Sequence, residues 1–103
     1  MKGVVRLLAM TVLIVMVSAI VVPVLAESWQ TRYGSNDIVL NTTGTCVSNI
    51  QSDLKKLGYS IVVTSTYNSE TITVVKKFQR ANGLTASGVF NDSTKIALWN
   101  ILY

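Results

Sequence analysis

Histidine is absent from this 103-residue chain, cysteine and proline occur once each, as Cys46 and Pro23, and charged residues make up 14% of the whole. Each shortage excludes something. Without histidine, a Ser/His or Cys/His nucleophile pair, a His-bearing zinc site and a histidine general base all lose a required member. A lone cysteine forms no disulfide within the chain and cannot by itself build a structural zinc site. What remains for catalysis is a carboxylate pair drawn from Glu27, Asp37, Asp53, Glu70 and Asp92, working as acid and base across one bond. None of these lies in a recognisable motif, and so short a folded chain rarely builds a deep, dry cleft. The sequence is read as non-enzymatic, with no catalytic residue, no cofactor and no metal ligand set.

The shortage of charge is concentrated at the front. From Leu7 to Ala26 there are 20 residues without a charge, preceded by Lys2 and Arg6 and followed by Glu27. A positive start, an apolar centre, the helix breaker Pro23, and Val24 and Ala26 before the first acid make a secretory signal layout over residues 1–26. The alternative is a signal anchor, since 20 uncharged residues are about what a helix needs to cross a bilayer. Either reading places the other 77 residues outside the cytoplasm, and they carry seven basic and five acidic side chains, a net charge of +2.

Residues 27–37 are polar and aperiodic and read as a linker, with Trp29 and Tyr33 either packed back or exposed; the domain proper is expected over 38–103. After the short apolar run Ile38-Val39-Leu40, Val47, Ile50, Leu54 and Leu57 recur at helical spacing, with Asp53, Lys55 and Lys56 on the other face. Gly58 is expected to stop this helix. The spacing predicts a second helix over about 69–81, with Ile72, Val75 and Phe78 inward and Lys76, Lys77 and Arg80 outward. A third begins near Asp92 and carries Ile96, Ala97, Leu98, Ile101 and Leu102, with Trp99 beside its apolar stripe.

Tyr67-Asn68-Ser69-Glu70-Thr71 and Phe90-Asn91-Asp92-Ser93-Thr94 repeat at an offset of 23. Helix initiation explains the pattern: Asn offers a side-chain oxygen to the orphan amides of the first turn, the ring before it anchors, and the acids suit the helix dipole. Three short helices make an all-α fold, a small three-helix bundle.

These residues resemble the three-helix peptidoglycan-binding domain family found on secreted cell-wall hydrolases. The family's first-helix signature is matched by Gly44, Val47, Ile50-Gln51, Leu54 and Leu57-Gly58-Tyr59, its second by the Tyr67 to Thr71 run, Val75 and Phe78-Gln79. Gly83-Leu84, the run from Gly88 to Thr94, and Ala97-Leu98 complete it. Thr64-Ser65 and Ser87-Gly88 stand where the family has Asp-Gly, and Asn68 and Asn91 where it has Gly; Asn takes a left-handed or a capping backbone better than other side chains.

The resemblance implies a secreted, non-catalytic module that binds peptidoglycan, with Gln51, Tyr59, Tyr67, Asn68, Gln79, Arg80 and Asn82 as candidate ligand-binding residues. Several have a second reading: Gln51 and Gln79 could instead hold loop backbone, and Tyr59 and Tyr67 could anchor helix ends. Cys46 is either a small, partly buried thiol or the bridge of a disulfide dimer, as exported proteins meet oxidising surroundings. The alternatives in function are a wall hydrolase or a fragment of one, and a structural or nucleic-acid-binding three-helix protein. The low net charge and the export signal oppose nucleic acid.

Overall fold

The computed structural model describes residues 27–103, and the signal or anchor reading of residues 1–26 lies outside the described residues. Four helices follow in order: α1 (Trp29–Tyr33), α2 (Thr45–Lys56), α3 (Ser69–Ala81) and α4 (Asp92–Leu102). The described residues form no strand; two isolated antiparallel bridges, Ile38 with Phe90 and Thr43 with Thr66, tie loops together. None of the described helices is long and apolar enough to cross a membrane.

The all-helical expectation holds, with one helix more than the three foreseen. Each of the three has the start or stop that its sequence encodes. In α2 the stripe Val47, Ile50 and Leu54 is fully buried, and the helix ends where Gly58 takes a left-handed φ of 100°. The repeated Asn residues are N-caps: Asn68 Oδ1 accepts from the Thr71 amide at 3.0 Å and Asn91 Oδ1 from the Thr94 amide at 3.1 Å. Both have extended backbone, with φ of −101° and −92°, so neither needs left-handed freedom. That demand falls two residues before each ring, on Ser65 (φ 66°) and Gly88 (φ 81°).

The fourth helix lies in the stretch read as a linker. Ser28 caps α1 by accepting from the Thr31 amide, and α1 packs against α2 and α4. Tyr33 is fully buried, with its ring edge-on to Phe90 at 5.6 Å and to Trp99 at 6.4 Å. Burying a side chain of this size stabilises by roughly 2 kcal/mol, one part of what offsets the entropy of ordering this short helix. The core then runs from Tyr33 through Ile50, Leu54, Tyr67, Val75, Phe78 and Phe90 to Leu98.

α4 is rotated relative to its apolar letters. Thr94, Lys95 and Leu98 face inward, while Ile96 and Ile101 are 39% and 50% exposed. The reason is polar. Thr94 is held from inside the domain by a glutamine amide, and the fully buried Lys95 donates from Nζ to the carbonyls of Gly34 (2.7 Å) and Asn36 (2.6 Å). Burial pulls the Lys95 pKa below the ordinary lysine value, against the opposing fields of Asp92 and Asp37. Two carbonyl acceptors nonetheless give the ammonium the partners that a buried charge requires.

Candidate functional site

Two glutamines organise the loops. Gln51 Oε1 accepts from the amides of Thr64 (2.9 Å) and Ser65 (3.0 Å), while its Nε2 donates to the Thr66 carbonyl and Thr71 Oγ1, each at 3.0 Å. Gln79 Oε1 accepts from the Gly88 amide at 2.9 Å, and its Nε2 donates to the Val89 carbonyl (2.9 Å) and Thr94 Oγ1 (3.0 Å). The hydroxyls of Thr71 and Thr94 pass the chain on to the cap oxygens of Asn68 and Asn91, both at 2.7 Å. The same offset of 23 therefore relates Ser65 to Gly88, Thr66 to Val89 and Thr71 to Thr94. What reads as a sequence repeat is a repeated turn clamp: glutamine to threonine to helix cap.

This geometry sorts the candidate ligand-binding residues. Gln51 and Gln79 are fully buried with both ends of their amides engaged, so their job is to hold loop backbone. Tyr67 is fully buried and donates from its hydroxyl to the Gly88 carbonyl at 2.6 Å; burial drives its pKa far above the ordinary tyrosine value. These three are withdrawn from any ligand because a solvent-borne group cannot reach them. Tyr59 is half-buried, edge-on to Phe78 at 6.4 Å, and Asn68 spends its oxygen on the α3 cap. Arg80 is exposed. Asn82 is also exposed and closes the end of α3 by donating from Nδ2 to the Phe78 carbonyl at 2.8 Å.

Next to Asn82 the surface dips into a shallow pocket of roughly 230 Å³ lined by Gly83, Leu84, Thr85, Asn91, Ser93 and Thr94. The α3–α4 turn forms one side and the first turn of α4 the other. Thr85, Asn91 and Ser93 bring polar groups, Leu84 a half-buried apolar wall, and no charged residue is in the lining. Gly83-Leu84 and Asn91-Asp92-Ser93 were legible as family and capping signatures, yet nothing in their spacing indicates that they meet across a pocket. Among the described residues no three Asp, Glu or Cys side chains come together in a way that could hold a metal ion.

A second polar cluster sits where α1 meets α2. Asp53, expected on the solvent face of its helix, is fully buried. Arg32 forks onto it from Nε (2.7 Å) and Nη2 (2.8 Å), and the hydroxyls of Tyr33 (2.7 Å) and Tyr103 (3.0 Å) donate to it as well. Burial alone would raise the Asp53 pKa; the hydrogen bonds from Arg32, Tyr33 and Tyr103 outweigh it and hold the carboxyl below the usual aspartate value. Every acceptor site of this carboxylate is engaged, and its role is to fasten α1. Among the described residues no buried side-chain nitrogen or oxygen lacks a partner.

The described residues form a small helical domain, stitched by buried amides, that presents an uncharged polar pocket. The chain belongs to the family described as "Putative peptidoglycan binding domain", whose model matches residues 43–98. It is 39% identical over 56 residues to the carboxy-terminal processing protease CtpA of Bacillus subtilis (strain 168), a match covering 54% of this chain and 12% of the protease. The fold is also similar to that of the Burkholderia AP3 phage endolysin, with a TM-score of 0.60 and 30% identity, over 62% of this chain and 25% of the endolysin. A periplasmic domain of the EpsAB fusion protein of the Vibrio vulnificus type II secretion system shares the fold at a TM-score of 0.62 and 23% identity, over 66% of this chain and 31% of that one. The chain thus spans less than a third of the length of each of these proteins.

Proposed function

We propose that the chain is an exported, non-catalytic module that adheres to bacterial wall peptidoglycan through the face formed by the α3–α4 turn and the start of α4. The observation that carries this reading is the family match, which runs over α2, α3 and most of α4. The pocket next to Asn82, with Arg80 on the last turn of α3, marks the surface on which to look for the polymer, and Asn68 stands at the opposite end of that helix. So shallow a patch gives modest affinity, because association costs several kcal/mol before contacts show a surplus; the many equivalent sites on a polymer then supply retention. Export follows from the signal layout of residues 1–26, and amino-terminal sequencing of the exported chain distinguishes cleavage after Ala26 from an anchor.

Co-sedimentation with purified, insoluble wall sacculi is the direct test: the protein should pellet with the wall and be released by competing soluble wall fragments. A chain that stays in the supernatant overturns the proposal.

The small share of CtpA and of the endolysin that this chain covers favours a second reading, in which the module directs a larger wall-acting enzyme. Loss of turbidity in a wall suspension on adding the protein alone would show instead that the chain itself hydrolyses the wall. Cys46, half-buried at the first turn of α2, is the thiol through which a second chain could be joined. A dimer band on a non-reducing gel after prompt alkylation would establish that link, and a lone monomer band would remove it.

A further inference from the structure

We propose that the pocket between the α3–α4 turn and the first turn of α4 receives an N-acetylated sugar unit of the wall glycan rather than the charged end of a stem peptide. The proposal rests on the wall-binding reading above and deepens it.

The argument is one of unspent groups. Thr94 has none to offer: its amide and hydroxyl both donate to Asn91 Oδ1, and its oxygen accepts from Gln79. Asn91, Ser93 and Thr85 line the pocket, and Asn91 Nδ2, Ser93 Oγ and Thr85 Oγ1 make no hydrogen bond among the described residues. The pocket therefore presents one amide donor, two hydroxyls that donate or accept, and the aliphatic surface of Leu84. A sugar carrying an acetamido group offers the complement, namely ring hydroxyls, a carbonyl acceptor, an amide donor and a methyl group.

The position of the pocket at a helix start would by itself favour an anion, but the local charges work against one. The Thr94 amide is already committed to Asn91. Asp92, exposed in the same first turn, repels a carboxylate. The nearest lysine in sequence, Lys95, points its amine inward onto the carbonyls of Gly34 and Asn36. A neutral ligand meets none of these penalties. At roughly 230 Å³ the space falls below the 300–1,000 Å³ typical of pockets for drug-sized ligands, which suits a single ring and its substituent.

The test is a chemical-shift titration of the 15N-labelled full-length chain in detergent solution, with three probes used separately. These are tri-N-acetylchitotriose, cellotriose, and the stem tetrapeptide L-alanyl-γ-D-glutamyl-diaminopimelyl-D-alanine. The Asn91 side-chain amide and the backbone amides of Leu84 and Ser93 should move with chitotriose at millimolar concentration, and little or not at all with the other two. Cellotriose moving them equally would remove the acetamido group from the proposal, and the tetrapeptide moving them in preference would overturn it. Silence toward chitotriose, while the protein still pellets with sacculi, overturns this inference and leaves the wall-binding reading standing. Failure to pellet overturns both.

Two variants leave the fold intact. The Thr85→Ala/Ser93→Ala pair removes two hydroxyls without internal partners, and Asn91→Asp keeps the cap oxygen while deleting the amide donor. Each should weaken chitotriose binding at least threefold with an unchanged circular dichroism spectrum, and parental affinity in both would overturn the proposal.

Discussion

The two turn clamps hold the same kind of backbone with the same side chain, and they differ at the residue whose backbone is left-handed. In the clamp around Gln79 that residue is Gly88, fully enclosed, where an added Cβ would lie 2.9 Å from Ile72 Cγ2 and 3.0 Å from Lys76 Cε. In the clamp around Gln51 it is Ser65, with a comparable φ of 66° in a looser loop: Gln51 and Thr71 are 20 residues apart, Gln79 and Thr94 only 15. The first clamp tolerates a side chain because its turn is longer and partly open to water; the second has no room for one. The first half also carries an extra fastening, the buried Asp53 on the same helix as Gln51, and Asp53 is the only buried carboxylate among the described residues. Duplicated hydrogen-bond chemistry therefore sits in unequal packing, and the inequality can be measured.

The largest effect should come from the fastening that is not duplicated. Asp53→Asn removes the buried carboxylate that Arg32 forks onto, leaving it only Glu27 at 4.0 Å, and should destabilise by about 3 kcal/mol, at the low end for a broken buried pair because Arg32 keeps some solvent access; urea unfolding followed by circular dichroism checks it. The same residue sets an acid limit. Its folded-state pKa is depressed, so its contribution is fully present above the unfolded aspartate value of about 4 and is lost as pH falls through the lower folded value. The melting temperature of the parent should fall below about pH 4 more steeply than that of Asp53→Asn. Parallel curves would show that the Asp53 cluster carries no such linkage.

Between the clamps, Gln79→Leu should cost roughly 2–3 kcal/mol and Gln51→Leu about 1 kcal/mol less, since water can reach the Thr64 and Ser65 amides but not that of Gly88. Equal losses would mean that the two loops are equally closed to solvent. Gly88→Ala should cost about 2 kcal/mol from the left-handed backbone together with the contact on Ile72. Ser65→Gly should do the reverse on a smaller scale, stabilising by about 0.5 kcal/mol as relief of the left-handed strain narrowly exceeds the added chain entropy. A destabilised Ser65→Gly would show that the serine contributes more than its backbone conformation.

Much of the fold was legible because its signals are local. Asn68 and Asn91 cap the helices that their spacing indicates, and Val47, Ile50, Leu54, Val75, Phe78 and Leu98 are buried as their period implies. Three elements were not legible, and all depend on distant partners. Residues 27–37 have no period, yet Trp29–Tyr33 forms a helix because Tyr33 finds Phe90 and Trp99, and Arg32 finds Asp53. Asp53 reads as a solvent-facing charge and is buried because a guanidinium meets it from another helix, and the burial of Lys95 under two carbonyls from another part of the chain has no signal in the sequence. Ile96 and Ile101 read as inward and are partly exposed, since the inner face of α4 is set by its polar partners. The candidate site was less legible still. Of its seven residues, Gln51, Tyr67 and Gln79 proved internal, and the pocket beside Asn82 is assembled from residues whose family and capping signatures do not reveal that they meet.

By itself the sequence determined the helical class, the ends of the three longer helices and the family, because caps, turn residues and a 3.6-residue period act over a few neighbouring positions. Which polar side chains are spent inside and which are left for a ligand was decided only by the tertiary structure. A hydrogen bond between residues far apart in the chain depends on where folding brings them, and no local pattern encodes that distance.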